Sequence, residues 1–324
     1  MRILITGGTG FIGCHLLAAL GSHDHKLFSL SRQRSEGRLP NIEEKVQQVF
    51  CDLRDPAAVR QVLKQVQPES VIHLASISPV AYSYDHPNEV FEANLVGTVN
   101  LAEGCRIEVP GLRQFLFAST SETYGLGPLP KKEETPQNPG SPYSVSKLAA
   151  ERYLLYLRDA YEFPLTILRP FNTYGRKETT SFVVERIVWQ MLTQDVVRLG
   201  DPSIVRDWVH IDDHVRAYRV CLGNQRAIGQ VINFCTGRGV SVAELVNLVT
   251  CMTRFQGRIE WHTLPKRPLD VPVIVGDAGK AEALLGWRPI VGLEEGLQIA
   301  VDYWRQKGEV SASLLPPSLT HHAE

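Results

Sequence analysis

Short apolar runs alternate with helical patterns through the first half of the chain. The strand-like runs lie at residues 2–7, 26–32, 70–76, 114–121 and 165–172. Between them, apolar residues recur at helical spacing at residues 11–22, 56–66, 88–106 and 146–161. Strands that alternate with helices in this way form a parallel sheet with helices on both faces. The pattern therefore predicts an α/β fold built on a doubly wound parallel sheet.

The alternation weakens after about Phe171, where prolines and polar turns become more frequent. Two helical stretches, at residues 242–250 and 278–287, indicate a smaller C-terminal lobe. We therefore expect a first domain at residues 1–172, a segment near 206–236 that returns to it, and a lobe at residues 173–310. Residues 311–324 are rich in Ser and Pro and show no period, which is typical of a mobile tail.

Composition and charge exclude several classes of function. The 324 residues carry a formal net charge of -1, so no field favours nucleic acid or an anionic membrane. None of the six cysteines forms a CxxC pair, which argues against a zinc site or a disulfide framework and for a reducing compartment. No signal peptide is recognised and no apolar run is long enough to span a bilayer. We expect a cytoplasmic protein without a metal.

Glycines follow the first predicted strand, at Gly7, Gly10 and Gly13. A strand, a glycine turn and a helix form the context in which such glycines bind a dinucleotide. Gly7 would permit the tight turn, Gly10 would let the backbone approach the pyrophosphate, and Gly13 would allow close packing of helix and strand. The free N–H groups at the helix start would then face the phosphates. A tight turn without function is the less favoured interpretation.

The end of the second strand bears on the choice of cofactor. An acid there binds the ribose hydroxyls of NAD, whereas arginine suits the 2′-phosphate of NADP. The strand ends at Ser31 and Arg32, with Arg34 two residues on and no acid, which favours NADP and leaves NAD open. The alternative interpretation is that Arg32 and Arg34 are ordinary surface charges. Asp52 and Leu53 are placed to reach the adenine, and His73 is expected to be a structural histidine.

Two further segments predict catalytic chemistry. Tyr143 and Lys147 are four residues apart, on one face of a helix that begins near Pro142. A lysine ammonium and a positive nicotinamide ring would both lower the pKa of the tyrosine, which could then act as a base. Thr120, Ser121 and Glu122 follow an apolar strand and should reach the same sheet edge. Taken alone, each segment is more typical of a surface pair or a turn.

Together these motifs resemble the extended short-chain dehydrogenases/reductases that modify nucleotide sugars. The motifs TGGTGFIG, STSETYG, YSVSK, RPFNTYG, RDWVHIDD and LGW occur in that family's order, from Met1 to about Tyr303. The resemblance implies a Rossmann-type domain and a smaller lobe that binds a nucleotide-diphosphate sugar. It also implies a homodimer or a tetramer.

The resemblance assigns roles residue by residue. Tyr143 matches the base that takes the C4-hydroxyl proton, Lys147 the residue that lowers its pKa, and Thr120 the residue that hydrogen-bonds the C4 oxygen. Around the glycine turn and sheet edge, the implied cofactor contacts are Thr9, Phe11, Ile12, Arg32, Asp52, Leu53, Leu74, Ala75, Ser76, Asn94, Ser119 and Arg176. The implied substrate contacts are Ser78, Asn172, Val183, Arg186, Arg206 and Arg267. The guanidinium groups of the three arginines suit phosphate oxygens.

The residues after Thr120 indicate the reaction. Thr-Ser-Glu resembles the GDP-mannose 4,6-dehydratases, in which the glutamate serves the proton steps at C5 and C6. We therefore expect transient oxidation at C4, loss of water across C5–C6, and reduction at C6. A nucleotide-sugar 4-epimerase is the alternative, followed by a UDP-glucuronate decarboxylase and a 4-keto-sugar reductase. A cofactor-binding sensor is the non-enzyme alternative. The nucleotide base and the sugar stereochemistry stay open.

Overall fold

The computed structural model describes residues 1–33, 43–176 and 179–314, and in the last helix the side chains as far as Lys307. Arg34 lies outside these residues. In chain order the strands are β1 (Arg2–Thr6), β2 (Lys26–Ser31), β3 (Val46–Phe50), β4 (Ser70–His73), β5 (Gln114–Ala118), β6 (Leu165–Pro170), β7 (Asn172–Tyr174), β8 (Val196–Arg198), β9 (Val205–His210), β10 (Val231–Phe234), β11 (Gly239–Ser241), β12 (Arg258–Glu260) and β13 (Val273–Ile274).

Helices alternate with these strands through the described residues. In order they are α1 (Phe11–Leu20), α2 (Pro56–Val66), α3 (Val80–Asp85), α4 (Pro87–Phe91), α5 (Gly97–Glu108), α6 (Pro142–Tyr161), α7 (Val183–Thr193), α8 (Ile211–Cys221), α9 (Val242–Thr253), α10 (Gly279–Leu285) and α11 (Leu293–Leu314). A π-helical segment, Glu92–Val96, joins α4 to α5, so the predicted helix at residues 88–106 changes its hydrogen bonding midway. In the described chain, no helix is long and apolar enough to cross a membrane.

Within the described chain, seven strands form one parallel sheet in the order β10-β6-β5-β4-β1-β2-β3. The chain moves outward from β1 to β3 and returns to place β4 on the other side of β1. The carboxyl ends of β1 and β4 therefore flank the point at which the strand order reverses, where open α/β sheets bind ligands. The predicted doubly wound parallel sheet is confirmed.

The central strand β1 shows why the sheet has two hydrophobic faces. Successive side chains of a strand point to opposite faces. Ile3 and Ile5 pack into a core that includes residues of α1, α8 and α10, whereas Leu4 packs into a core with residues of α2, α5 and α6. All three are completely buried. Burial on both faces explains the continuous apolar run that predicted this strand.

A second, smaller unit follows β6. Strands β7, β9, β11 and β13 form a small mixed sheet, and β8 pairs with β12. Helices α7, α9 and α11 pack against one another beside it. Their shared core contains apolar residues from each helix, among them Val184, Ile187, Leu245, Val249 and Leu297.

The structure places several segments differently from the sequence-based boundaries. β9 belongs to the small sheet, and the chain returns to the large sheet with α8 and β10. The sequence assigned α10 to the lobe, but α10 packs on β10, and Trp287 contacts Phe234 edge-on with 5.0 Å between ring centres. Helical spacing alone does not indicate which sheet a helix will cover. Residues 311–314 belong to α11 and not to a tail, while residues 315–324 lie outside the described residues.

Candidate active site

A cavity of about 1160 Å³ lies at the carboxyl edge of the large sheet and extends under the lobe. Its volume exceeds the usual range for one small-molecule site, about 300–1000 Å³, so it has room for a dinucleotide and a substrate together. Most of the residues predicted for the site line it: Gly7, Gly10, Phe11, Ile12, Gly13, Leu74, Ser76, Ser78, Ser119, Thr120, Ser121, Glu122, Tyr143, Lys147, Asn172, Val183, Arg186, Arg206 and Arg267.

The glycine turn fits the pyrophosphate of a dinucleotide. Gly7 has φ +70°, and a Cβ there would lie 2.8 Å from the backbone nitrogen of Ala75. At Gly13 a Cβ would lie 2.3 Å from the carbonyl oxygen of Gly7, so only glycine allows this packing of α1 on β1. Gly10 is the exposed N-cap residue of α1 and brings no capping side chain. The first turn of the helix can therefore face a phosphate.

The residues predicted to contact the adenine end lie beyond the cavity lining. Arg32 is exposed just after β2. Asp52 accepts from the Arg54 guanidinium at 2.6 Å, and this hydrogen bond holds the pKa of Asp52 below its usual value. Leu53 is buried in the core around α2. Thr9 and Ala75 also lie beside the cavity and outside its lining.

His73 behaves as the structural histidine that the sequence predicted. Its Nδ1 lies 2.7 Å from the Thr6 hydroxyl and its Nε2 lies 2.8 Å from the Thr98 hydroxyl. The ring is buried, and this burial, followed by the positive charge of Lys147, lowers the pKa of His73 to about 3. His73 therefore stays neutral at physiological pH and ties β1 and β4 to the π-helical segment and α5.

Asn94 and Arg176 make protein contacts outside the cavity lining. In the π-helical segment, Asn94 accepts from the backbone N–H of Ile77 at 2.8 Å and donates to the Ser146 hydroxyl at 3.1 Å. It thus fastens the loop after β4 to α6, next to the site. Arg176 forms an ion pair with Asp212 on α8. Neither geometry presents the side chain to the cavity, although both residues were predicted to contact the cofactor.

The start of α6 positions Tyr143 and Lys147. Pro142 is its first residue, and Ser141 and Ser144 form a reciprocal capping box with N–H to hydroxyl distances of 3.1 and 3.0 Å. Both Tyr143 and Lys147 are buried one helical turn apart, at the predicted spacing. The sequence located the start of this helix correctly because a proline in the first turn is a local signal.

The electrostatics of this pair differ from the expectation. Burial raises the pKa of Tyr143 and outweighs the hydrogen bond from Thr120, and the nearby Glu122 raises it further. Lys147 was expected to lower the tyrosine's pKa. Burial instead lowers the pKa of Lys147 to about 7, although the charge of Glu151 raises it. The ammonium lies 4.6 Å from the centre of the Phe117 ring. In the protein alone, desolvation dominates both groups.

Glu122 contributes a carboxylate to the lining of the cavity. It sits in a short helical turn, Ser121–Thr123, whose N-cap Thr120 accepts from the Glu122 N–H at 3.2 Å. Ser121 is buried in the same turn. Thr120 also reaches the Tyr143 hydroxyl, so Thr120, Glu122 and Tyr143 share one wall of the cavity. Glu122 Oε1 lies 3.7 Å from Nε of Arg206.

The arginines predicted to bind phosphate lie on the lobe side. Arg206 is buried between Glu122 and Asp270, and its guanidinium donates to the Val271 carbonyl oxygen at 2.8 Å. Arg267 pairs with Asp270 at 3.7 Å. Arg186 and Arg267 both line the cavity, and burial, followed by the charge of Arg267, lowers the pKa of Arg186. Such a pair suits an anion with several oxygens, such as a diphosphate.

The sequence did not single out two buried residues of α8, His214 and Tyr218. Both line the cavity, and their rings stack with 5.3 Å between centres. The Nδ1 of His214 lies 2.7 Å from the Thr173 hydroxyl. A usable signal was present, since two polar rings four residues apart occupy the apolar face of a helical pattern.

Comparison with known proteins finds relatives that match most of this chain. A family model described as GDP-mannose 4,6 dehydratase matches residues 4–300. A UDP-glucose 4-epimerase of Mycolicibacterium smegmatis is 33% identical, over 95% of this chain and 100% of that protein. A dTDP-glucose 4,6-dehydratase of Xanthomonas campestris is 30% identical, over 93% and 92%. A solved UDP-glucose 4-epimerase of Thermus thermophilus, in complex with NAD, has TM-score 0.85 at 32% identity, covering 94% and 99%.

These matches cover both domains and the whole cavity lining at once. The chain therefore belongs to the GDP-mannose 4,6-dehydratase family, within the nucleotide-sugar dehydratases and epimerases of the extended short-chain dehydrogenases/reductases.

Proposed function

We propose that the protein is a nucleotide-sugar 4,6-dehydratase that acts on a GDP-hexose such as GDP-mannose. The observation that carries the proposal is the carboxylate of Glu122 on the same cavity wall as Thr120 and Tyr143. An enzyme that only oxidises and reduces C4 needs one acid-base residue there. Elimination of water requires a second, which removes a proton from C5.

The residues have complementary tasks in this cycle. Tyr143 accepts the C4-hydroxyl proton while Thr120 hydrogen-bonds the C4 oxygen. Glu122 then takes the C5 proton, which the new 4-ketone acidifies, and passes it to the C6 hydroxyl, which leaves as water. Tyr143 returns its proton to C5. A nicotinamide dinucleotide, when bound, supplies the hydride acceptor for C4 and the hydride donor for C6, so the net change is the loss of one water.

The lobe supports a nucleotide-diphosphate substrate. Arg186 and Arg267 line the cavity close to each other and can share the diphosphate oxygens. The Oδ1 atom of Asn172 is buried and, among the described residues, has no hydrogen-bond partner, so a ligand donor would satisfy it. These groups would hold the nucleotide while the sugar reaches Tyr143.

For the cofactor, the end of β2 supports NADP. Arg32 follows Ser31 there, and no acid stands in either position to bind a ribose 2′-hydroxyl. A solved relative is in complex with NAD, so NAD is the competing ligand. Denaturing the purified protein and identifying the released nucleotide distinguishes the two. Release of NAD alone would reject the NADP assignment, and an Arg32→Ala variant should lose affinity only for NADP.

We further propose a homodimer. The outer surfaces of α5 and α6 and their junctions expose large apolar side chains, namely Val96, Ile107, Val145, Tyr156 and Tyr161, which are 38–52% accessible. Exposed apolar surface of this kind is typical of association sites. Light scattering after size exclusion should give a dimer mass, and Tyr156→Arg should shift it to monomer. A tetramer would show a further interface, and a monomeric wild type would refute the proposal.

The decisive experiment is incubation of the purified protein with GDP-mannose, UDP-glucose and dTDP-glucose, each followed by mass spectrometry for loss of water and by proton NMR for inversion at C4. Loss of one water from any of them supports a dehydratase, and the substrate that reacts identifies the nucleotide. The second candidate is a UDP-glucose 4-epimerase, favoured by the relative that is 33% identical over its full length. Inversion at C4 without a change in mass would establish that activity and reject the dehydratase.

A further inference from the structure

Tyr218 carries a buried hydroxyl that the proposed reaction does not use. The residue is completely inaccessible to solvent and lies on α8, yet it contributes to the cavity lining. Among the residues that the structure describes, none offers its Oη atom a hydrogen-bond partner. Buried hydroxyl groups in folded proteins almost always have a partner. A group of a bound ligand is the partner that a cavity-lining position makes available.

The surroundings locate this hydroxyl within the cavity. α8 packs against α1, the helix that begins at the glycine turn, and Tyr218 shares a core with Phe11, Ile12 and Ala118. Burial, and after it the neighbouring Cys221 and Tyr143, raise the pKa of Tyr218. Since charge on the Tyr143 phenol influences Tyr218, the two tyrosines, one on α6 and one on α8, lie within electrostatic reach of each other.

The ring of His214 fixes the orientation of Tyr218. Its plane lies at 28° to the Tyr218 ring, and its Nδ1 lies 2.7 Å from the Thr173 hydroxyl of β7. Buried rings that are stacked and tethered in this way change rotamer only at a cost. The hydroxyl of Tyr218 is therefore preorganised, which is the condition for a specific hydrogen bond to a ligand.

The chemistry of this wall suits one part of the dinucleotide. Tyr143 takes its proton from the hydroxyl on the carbon that gives up hydride, so the nicotinamide ring must lie near Tyr143. Phe11, Ile12, Leu74, Ala118 and Pro170 give the nearby cavity apolar surfaces that fit a flat ring. The polar substituent of that ring is a carboxamide, which both donates and accepts. We propose that the Tyr218 hydroxyl hydrogen-bonds this carboxamide and so fixes the orientation of the nicotinamide ring.

The proposal rests on dinucleotide binding at the glycine turn and holds for a dehydratase or an epimerase. Its test compares the full-length wild type with Tyr218→Phe, both freed of cofactor, by calorimetric titration with the oxidised dinucleotide and with ADP-ribose. ADP-ribose contains every part of NAD except the nicotinamide. If the protein retains NADP, ADP-ribose 2′-phosphate takes its place. We expect Tyr218→Phe to weaken the dinucleotide about fivefold to tenfold, the effect of one neutral hydrogen bond, and to leave ADP-ribose unchanged.

Stability provides an independent readout. Because the hydroxyl has no partner within the described protein, Tyr218→Phe should not lower the melting temperature of the cofactor-free form. Tyr174→Phe is the matched control: that hydroxyl donates to the Leu293 carbonyl oxygen at 3.3 Å, so this variant should melt earlier and keep the wild-type ratio of the two affinities. A Tyr218→Leu variant gives a second removal of the hydroxyl if Phe packs poorly.

The two affinities separate a failure of the Tyr218 contact from a failure of dinucleotide binding. Equal weakening of both ligands, or no weakening of either, would overturn the role of Tyr218. A wild type that binds neither ligand would instead refute dinucleotide binding at this site, which separates the two failures.

Discussion

The carboxylate of Glu122 and the guanidinium of Arg206 form an ion pair inside the cavity, with 3.7 Å between Oε1 and Nε. Arg206 is held in place by the Val271 carbonyl oxygen, so the positive charge is fixed. The separation exceeds that of a hydrogen bond, which leaves the carboxylate oxygens available to accept a substrate proton. This ion pair joins the segment after β5 to β9 of the lobe.

Replacement of Glu122 by Gln should slow dehydration strongly and keep oxidation at C4. Glutamine preserves the size of the side chain but cannot take the C5 proton, so turnover should fall about 10²- to 10⁴-fold. Absorbance of the reduced dinucleotide at 340 nm in a single turnover measures the first step, and mass spectrometry measures the last. Glu134→Gln, which changes an exposed acid, is the control. Formation of the dehydrated product by Glu122→Gln at the wild-type rate would contradict the role of Glu122.

Tyr143 should ionise only when the oxidised dinucleotide is bound. Burial raises its pKa in the protein alone, above the ordinary value of about 10, whereas the positive nicotinamide ring favours the phenolate. The wild-type minus Tyr143→Phe absorbance at 295 nm should therefore stay flat up to about pH 10 without cofactor. With the oxidised cofactor it should rise at lower pH. A phenolate signal near neutral pH in the cofactor-free protein would show that another group stabilises the charge.

The local parts of the site could be predicted from the sequence, and the contacts between distant segments could not. The glycine turn and the helix that carries Tyr143 and Lys147 follow from rules that act over a few residues. Glu122 and Arg206 are 84 positions apart, and nothing in either segment indicates an ion pair. The alternation of strands and helices likewise gave the large sheet, but packing decided that α10 covers β10.

Lys147 should make stability depend on pH in a defined window. Burial lowers its folded-state pKa to about 7, against about 10.4 in the unfolded chain. Between these values the unfolded state binds more protons, so the free energy of unfolding rises with pH. Relative to Lys147→Met, the cofactor-free wild type should gain about 2 kcal/mol between pH 7 and 9, measured by urea unfolding. Lys132→Met, at a half-exposed position, should show no such difference.

The comparison of the wild type with Lys147→Met can also contradict a lowered pKa of Lys147. If the wild type and Lys147→Met keep a constant difference in unfolding free energy across this range, Lys147 has an ordinary pKa. Its ammonium would then be compensated by a charge such as that of Glu151, which lies one turn further along α6 and raises its pKa.

The buried Glu151–Arg169 pair should stabilise the fold next to the cavity wall. Both side chains are buried, and Arg169 donates to Glu151 at 2.6 and 3.0 Å. The Ser119 hydroxyl of the cavity wall also donates to Glu151. Removal of one partner of a buried pair leaves an uncompensated charge, so Arg169→Met should lower the free energy of unfolding by about 3–5 kcal/mol. Chemical denaturation of the cofactor-free protein measures this loss.

The double variant Glu151→Leu with Arg169→Met distinguishes pairing from packing. If the loss in Arg169→Met comes from the unpaired carboxylate, removal of that carboxylate should restore much of the stability, because apolar residues often replace a buried ion pair at little cost. Catalysis should fall in the double variant, since Ser119 then loses its acceptor at the edge of the cavity. Additive losses in the double variant would show instead that each side chain stabilises the fold independently through its other contacts.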